Sequence, residues 1–246
     1  MARRRFLVER IANDAAELRG EDARHLARVL RAEPGQQYEI SDGAGAYLAE
    51  IAAVDKERVT FRVVAPLDTP APVLRLTLCA ALVKFDRFEW LIEKATELGA
   101  ETIVPVNAAR TEKGFLEAAH KRAVRWRRIA HEASQQARRL RPPEIAEPQT
   151  LAASFGWSAD FRYFLDEKPG APPLARIVPP LAARAASDSV ALLTGPEGGW
   201  TEAERAAAIS AGWAPSSLGP FILRAETAAI AAAAFLTQAW WASRIE

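Results

Sequence analysis

Three prolines in seven residues, Pro66-Leu-Asp-Thr-Pro-Ala-Pro72, divide this chain into two stretches of different periodicity. Proline fixes φ and lacks a backbone N–H, so the run reads as a linker, residues 66–72, between two domains. Before it, residues 37–41, 46–54 and 58–65 alternate with a period of two and are rich in β-branched and aromatic side chains. Asp42-Gly43-Ala44-Gly45 and Asp55-Lys56-Glu57 supply the turns between them. One short helix is expected over about residues 21–30, with Leu26, Val29 and Leu30 as its apolar stripe. Residues 1–67 are therefore expected to form a small β-barrel-like domain.

After the linker, strands and helices alternate. Residues 73–83, 102–106, 162–165, 190–194 and 213–218 read as strands. Residues 85–99 carry apolar side chains at 85, 88, 91, 92, 95 and 98, one face of a helix, and Gly99 stands where a helix ends. Residues 116–137 form a long helix, and Thr201-Glu-Ala-Glu204 is a capping box that opens another, to about Ala211. A last helix spans about residues 226–243. This alternation predicts an α/β domain over residues 73–246, with a mainly parallel sheet covered on both faces.

Composition narrows the setting. A single cysteine, Cys79, excludes a disulfide framework and a cysteine-rich metal site. His25, His120 and His131 show no ligand spacing, and no metal is expected. The basic start MARRRFLVER lacks an apolar segment behind it, so it does not read as a signal peptide. The most apolar run, residues 228–236, is too short to span a bilayer. A cytoplasmic protein with no membrane partner is expected.

The net charge is +1, yet residues 110–141 hold ten lysines and arginines against three acids, a local balance of +7. Such a stretch gives salt-dependent affinity for phosphates, although a solvated helix face can be equally basic. A second cluster joins Arg3, Arg4 and Arg5 with Arg24, Arg28 and Arg31.

Ala-Leu-Leu-Thr-Gly-Pro-Glu-Gly-Gly-Trp, residues 191–200, lies between a buried strand and a capped helix. In open α/β sheets ligands bind at that edge. Neither the P-loop nor the G-x-G-x-x-G pattern is present, so a phosphate cradle is not indicated. A backbone-lined pocket for something flat and largely uncharged fits. From spacing alone, a tight turn without a ligand fits as well. A second loop, residues 216–229, again follows a strand, with Gly219-Pro220, then Ile222, Leu223, Arg224, Glu226 and Thr227. Arg224 and Glu226 also read as an ion pair at a helix start.

These two loops, LLTGPEGGW and LGPFILRAETA, resemble the paired C-terminal motifs of the RsmE family. Those enzymes are 16S rRNA (uracil-N3)-methyltransferases of the SPOUT, or α/β-knot, superfamily. Further similarity covers nearly the whole chain. Arg5-Phe6, His25, Arg28 to Arg31 and Asp42-Gly43 resemble the family's PUA-like N-terminal domain. Lys84, the run from Glu93 to Gly99, Pro105 and Arg110 resemble its first methyltransferase helix and flanks. Glu132-Ala133, Gln136, Arg139, Arg141 and Pro143-Glu144-Ile145 resemble its EAxEQxGRxxxPEI signature. Five positions depart: in Gln135-Gln136-Ala137-Arg138-Arg139-Leu140, which stands for Glu-Gln-x-Gly-Arg-Asn, Gln135, Arg138 and Leu140 differ, Phe221 replaces an arginine, and Ala225 a threonine.

The resemblance implies a deep trefoil knot in the C-terminal domain and a PUA-like β-barrel before it. It implies S-adenosylmethionine as methyl donor, with S-adenosylhomocysteine as product. The donor would lie against Leu165, Leu193, Thr194, Gly195, Glu197, Gly198 and Gly199, and against Leu218, Gly219, Ile222, Leu223, Arg224, Thr227 and Ala228. RNA would meet Arg5, His25, Arg28, Arg31, Lys84, Arg110, Gln136, Arg138, Arg139 and Arg141. The implied partner is 16S rRNA within the small ribosomal subunit, and the implied state is a homodimer. The alanine-rich last helix, with Trp240 and Trp241, is a candidate interface, and equally an ordinary core helix. Arg224 is the candidate for stabilising oxyanion charge on uracil, and Glu226 for base or orienting group. Rival readings are a SPOUT ribose 2′-O-methyltransferase, a non-catalytic RNA-binding assembly protein, and a metabolic α/β enzyme that leaves the basic stretch unexplained.

Overall fold

The computed structural model describes residues 4–244, which fall into two compact units. One takes residues 1–71 together with 131–142, the other residues 72–130 and 143–246. Arg3 of the N-terminal basic cluster lies outside the described residues. Segment 131–142, which the periodicity leaves in the larger domain, is grouped with the smaller unit.

The first unit contains β1 (Arg5–Leu7), β2 (Ile11–Ala12), β3 (Ala15–Arg19), α1 (Gly20–Arg24), β4 (Gln37–Ser41), β5 (Ala46–Val54) and β6 (Arg58–Leu67). They form one curled sheet in the order β1-β4-β5-β6-β3-β2. The expected closed barrel is thus an open half-barrel. Its edge strands, β1 and β2, are only three and two residues long and do not pair with each other. Phe6, Leu18, Leu26, Ile40, Ile51 and Phe61 fill its core.

Two expectations need correction in this unit. β6 runs into the proline stretch, with Pro66 opposite Tyr47. Pairing of β6 with β3 ends at Arg62, so Pro66 deprives no second neighbour of a hydrogen bond. The short helix also changes pitch. After α1, residues His25–Val29 form a π-helical turn. Ala23 and Leu26 face the core, while Val29 and Leu30 are 65% and 44% exposed. The wider turn rotates the expected stripe out of register.

Segment 131–142 is bound into this unit. Arg5 Nη1 donates to the carbonyl of Arg138 (2.6 Å), and Ser41 Oγ donates to that of Leu140 (2.9 Å). Asp22 meets His131 Nε2 at 2.7 Å and accepts from Gln135 Nε2 at 2.8 Å.

The second unit contains β7 (Arg75–Ala81), α2 (Phe85–Glu97), β8 (Thr102–Asn107), α3 (Phe115–Gln136), β9 (Glu144–Ile145), β10 (Gln149–Thr150), α4 (Leu151–Ser154), β11 (Phe161–Leu165), α5 (Leu174–Ile177), β12 (Ser189–Thr194), α6 (Glu202–Ser210), β13 (Ala214–Ser216) and α7 (Ala225–Trp241). From His131 onward α3 is counted with the first unit. The sheet is parallel throughout, in the order β10-β8-β7-β12-β11-β13, with β9 beside β8.

Strand alternation places side chains in two separate cores. Leu76, Leu78, Ile103, Tyr163, Val190 and Leu192 pack with α2, α3 and α7. Cys79, Val104, Phe164, Ala191 and Leu193 face the other way, onto Trp200, Ala208 and Trp213. On α7, Ala229, Ala232, Ala233, Leu236 and Trp240 are buried at helical spacing. Small alanines let α7 lie close to α2, and Thr237 Oγ1 donates to the carbonyl of Leu98 (2.9 Å). Trp240, a candidate for a subunit interface, is wholly buried in this chain's core, its indole N–H on Asp188 (2.8 Å). Among the described residues no helix is long and apolar enough to cross a membrane.

Burial pushes the Cys79 thiol up to about 12, so at neutral pH it is neither exposed nor ionised. The native protein is expected to leave it unlabelled by a thiol reagent at pH 8, with labelling only after denaturation. Rapid labelling of native protein would contradict its placement on β7.

Glu89 on α2 ties that helix to α3. The hydrogen bond from Arg125, joined by one from Arg122, holds its carboxyl below the usual range. With the folded value lowered, the stabilisation is present above the ordinary carboxylate pKa. It is lost as pH falls through the lowered folded value. Glu89→Gln is expected to flatten that acid limb in a plot of denaturation midpoint against pH. An unchanged limb would show that the pair adds nothing.

Candidate functional site

Four adjacent strands, β7, β12, β11 and β13, end on one edge of the parallel sheet. The loops that leave β11, β12 and β13, with the start of α2, enclose a pocket of about 630 Å³. That lies within the roughly 300–1,000 Å³ usual for small-molecule sites.

The glycine loop forms one wall. Trp200 Nε1 donates to the carbonyl of Leu165 (2.7 Å), which fastens this loop to the end of β11. The indole lies so near Gly195 that a Cβ there would stand 3.0 Å from it. Arg110 Nη1 donates to the carbonyl of Gly198 (2.7 Å). Gly199 has φ +68°, and a Cβ at this position would overlap the carboxylate of Glu167. Gly199 is favoured by its positive φ, and Gly195 and Gly198 sit where a side chain would be tight against Trp200 and Arg110. The capping box follows as expected, with Glu204 N–H on Thr201 Oγ1 (3.2 Å) and Thr201 N–H on Glu204 (2.8 Å).

The loop after β13 forms the opposite wall. Asp166 N–H donates to the carbonyl of Ser216 (2.8 Å), joining it to the end of β11. Phe221 and Ile222 project, each 83% exposed, and Arg224 is exposed on the rim as the residue before α7.

Of the expected donor-site residues, Leu165, Gly195, Glu197, Gly198, Gly199, Leu218, Gly219, Ile222, Leu223, Arg224 and Ala228 line this pocket. Leu193 and Thr194 do not, since both are buried within β12, and Thr227 faces solvent on α7. Glu226 does not line it either. It is only 4% exposed, with Oε1 at 3.8 Å from Arg87 Nε and Oε2 without a partner among the described residues. The expected Arg224–Glu226 pair is absent from the ion pairs of the described residues. Arg87 instead bridges Glu226 and Glu197 of the glycine loop.

Pocket residues outside the two loops that the sequence reading missed are Arg87, Asp166 and Glu167, and within those loops it did not assign Pro196, Ser216, Ser217, Pro220, Phe221 and Ala225 to the donor. Asp166 and Glu167 carried a readable signal, two acids directly after a buried strand.

Family models match the chain as an RNA methyltransferase domain over residues 69–237 and an RNA methyltransferase PUA domain over residues 18–64. The chain is 34% identical over 234 residues to the ribosomal RNA small subunit methyltransferase E of Synechocystis sp., covering 89% of this chain and 72% of that one. It is 31% identical to the same-named protein of Bacillus subtilis, covering 85% and 84%. It belongs to the RsmE family. Among solved structures, the RsmE protein of Neisseria gonorrhoeae bound to S-adenosyl methionine matches with a TM-score of 0.85 and 29% identity, covering 97% of this chain and 98% of that one.

For an RsmE protein the residues expected to meet RNA are unevenly available. Arg28, Arg31, Lys84, the neutral Gln136 and Arg141 are exposed, and His25 and Arg139 are partly so. Arg5 is buried against Glu39 (3.1 Å), and Arg138 pairs with the same carboxylate (3.3 Å). Arg110 is exposed, and its Nη1 is engaged by the glycine loop. Along α3, Arg122 and Arg125 pair with Glu89, and Arg127 with Glu147. The local balance of +7 is thus reduced by acids that the fold brings in from outside the window.

Proposed function

We propose that this protein transfers a methyl group from S-adenosylmethionine to N3 of one uridine in 16S rRNA, within the small ribosomal subunit. The observation that carries the reading is the shape of the pocket. Its walls include glycine backbone that leaves little room for a Cβ, and Arg224, with no ion pair among the described residues, stands on the rim. The residues present fit such a donor. Asp166, Glu167 and Glu197 set acidic charge against Arg87 and Arg224 around a largely backbone-lined space, suited to a cationic nucleoside and not to a polyphosphate.

The bound donor supplies an electrophilic methyl. The chain's task is to align a poorly nucleophilic ring nitrogen with it and to favour the uridine anion. Arg224 would do this by hydrogen bonding to the uracil oxygen that gains charge. Glu226, buried behind Arg87, would act through that arginine and not as a base at the pocket surface. His25 and Arg28 on the π turn and Arg31 just after it, with Lys84, Gln136, Arg139 and Arg141, would hold the RNA backbone.

Homodimerisation, the trefoil knot and a cytoplasmic setting belong to the same proposal. Residues 1–67 and 73–246, read as PUA-like and methyltransferase domains, belong to it too. Primer extension on small-subunit rRNA from a deletion strain tests it. Methylation at the pairing edge of uracil blocks reverse transcriptase. A stop present in the parent strain, lost on deletion and restored with the gene, is expected. An unchanged pattern would refute it, and loss of a ribose methyl instead would favour 2′-O-methylation.

A further inference from the structure

Arg205, on α6, lies outside the pocket, and its side chain is only 12% exposed. Its Nε donates to both oxygens of Asp166 (2.9 and 3.1 Å), Nη2 to Glu167 Oε1 (2.7 Å), and Nη1 to the carbonyl of Trp200 (2.8 Å). One guanidinium therefore holds the end of β11 and the glycine loop together. Its third acid, Glu202, is also matched by Lys168 (3.1 Å). Asp166 and Glu167 thus share a single positive charge, and the pocket wall they form keeps a net negative one.

Glu167 itself lines the pocket, and its Oε1 is drawn toward Arg205 and lies against Gly199. Oε2 has no protein partner among the described residues. A carboxylate fixed through one oxygen at the carboxyl edge of a parallel sheet, with the other left over, is placed to accept from a ligand. We infer that Glu167 is a ligand-contacting carboxylate of this pocket, oriented by Arg205, which accepts from a hydrogen-bond donor of the bound nucleoside. This rests on the methyl-donor reading above. The group it meets is a ribose hydroxyl or the ammonium of the amino-acid end, and both satisfy the same acceptor. Arg205 is a positioning residue, because it reaches the ligand only through Glu167.

The test is calorimetry of the full-length protein with S-adenosylhomocysteine, and with methylthioadenosine, which lacks the amino-acid end. If the wild-type protein binds neither nucleoside, the methyl-donor reading fails, and this inference with it. If it binds, Glu167→Ala is expected to weaken S-adenosylhomocysteine by about ten- to a hundredfold. Glu167 is partly exposed, so this variant is expected to fold. Loss for both nucleosides assigns the contact to the ribose. Loss for S-adenosylhomocysteine alone assigns it to the ammonium, and Glu167→Gln should then lose nearly as much as alanine. Arg205→Lys keeps the charge but cannot reach all three partners. It should raise the KM for the donor with kcat little changed, and this effect should vanish in a Glu167→Ala background. Affinity within twofold of wild type for Glu167→Ala would overturn the inference. A full Arg205→Lys effect in the Glu167→Ala background would reduce Arg205 to a fold element.

Discussion

Arg224→Ala is expected to lower kcat by about two to three orders of magnitude, the usual cost of removing one donor to a developing oxyanion. Donor affinity should change far less. The argument rests on how the arginines of this edge are used. Arg205 is committed to Asp166, Glu167 and Trp200, Arg110 to Gly198, and Arg87 to Glu197 and Glu226. Arg224 has no ion pair among the described residues and stands exposed on the pocket rim. It is the pocket's one guanidinium without an ion pair among the described residues, as the role proposed for it toward the acceptor base requires. Its backbone carbonyl accepts from Ala228 N–H (2.8 Å), a bond that alanine retains, so α7 should start normally. Arg224→Lys should recover part of the rate, because it restores charge without the planar fork. Single-turnover kinetics with saturating donor gives the measurement. A rate for Arg224→Ala within threefold of wild type would remove it from the mechanism.

The largest expected effect on stability is at Trp126. Trp126→Ala should destabilise the second unit by about 3–5 kcal/mol, a large part of the roughly 5–15 kcal/mol that holds a typical domain. Its ring is wholly buried, 4.8 Å from that of Phe88 and 6.1 Å from that of Phe85, centroid to centroid. Phe85 in turn stacks on Phe115 at 4.9 Å. Removing the indole would open a cavity between α2 and α3 that three aromatic neighbours cannot all move to fill. The indole N–H has no partner among the described residues, so Trp126→Phe forfeits volume but no hydrogen bond and should cost much less. Urea denaturation followed by fluorescence and by circular dichroism would measure both. The two units can unfold separately, so the two signals should be compared before a single transition is assumed. A midpoint for Trp126→Ala equal to that of the parent would contradict the packing described.

Much of the fold was legible because long elements carry a period. α2 shows its face at positions 85, 88, 91, 92 and 95, and β6 alternates along its ten residues, while β5 alternates only roughly because its pairing with β6 shifts register twice. β2, β9 and β10 have two residues each and α4 and α5 four, too few for any period to register. The π turn escaped notice because its residues read as ordinary helix, and only its wider pitch turns Val29 and Leu30 outward.

The pocket was legible where its residues share a motif, in the two glycine loops. It was illegible where single side chains arrive from elsewhere. Arg87 sits among the apolar positions of α2, and nothing near it announces Glu197, 110 residues away. Charge is legible only in part. Arg5 reads as a cation open to RNA, but the carboxylate of Glu39, 34 residues away, pairs with it, and Arg110 keeps its charge while donating to the carbonyl of Gly198, 88 residues away. A sequence window counts charges and cannot see which partners the fold brings to them.

The discontinuous first unit bears on how this chain matures on the ribosome. Residues 1–71 emerge well before 131–142, and Arg5, Asp22 and Ser41 meet their partners only when the later piece arrives. At about 5–20 residues per second this delay lasts roughly 4–14 seconds. During it the half-barrel carries Arg5 without the carbonyl of Arg138, while α2 and β8 of the second unit are already being synthesised. Nascent chains halted near residue 100 should therefore be cut by protease within residues 4–71 far sooner than chains halted well past residue 142.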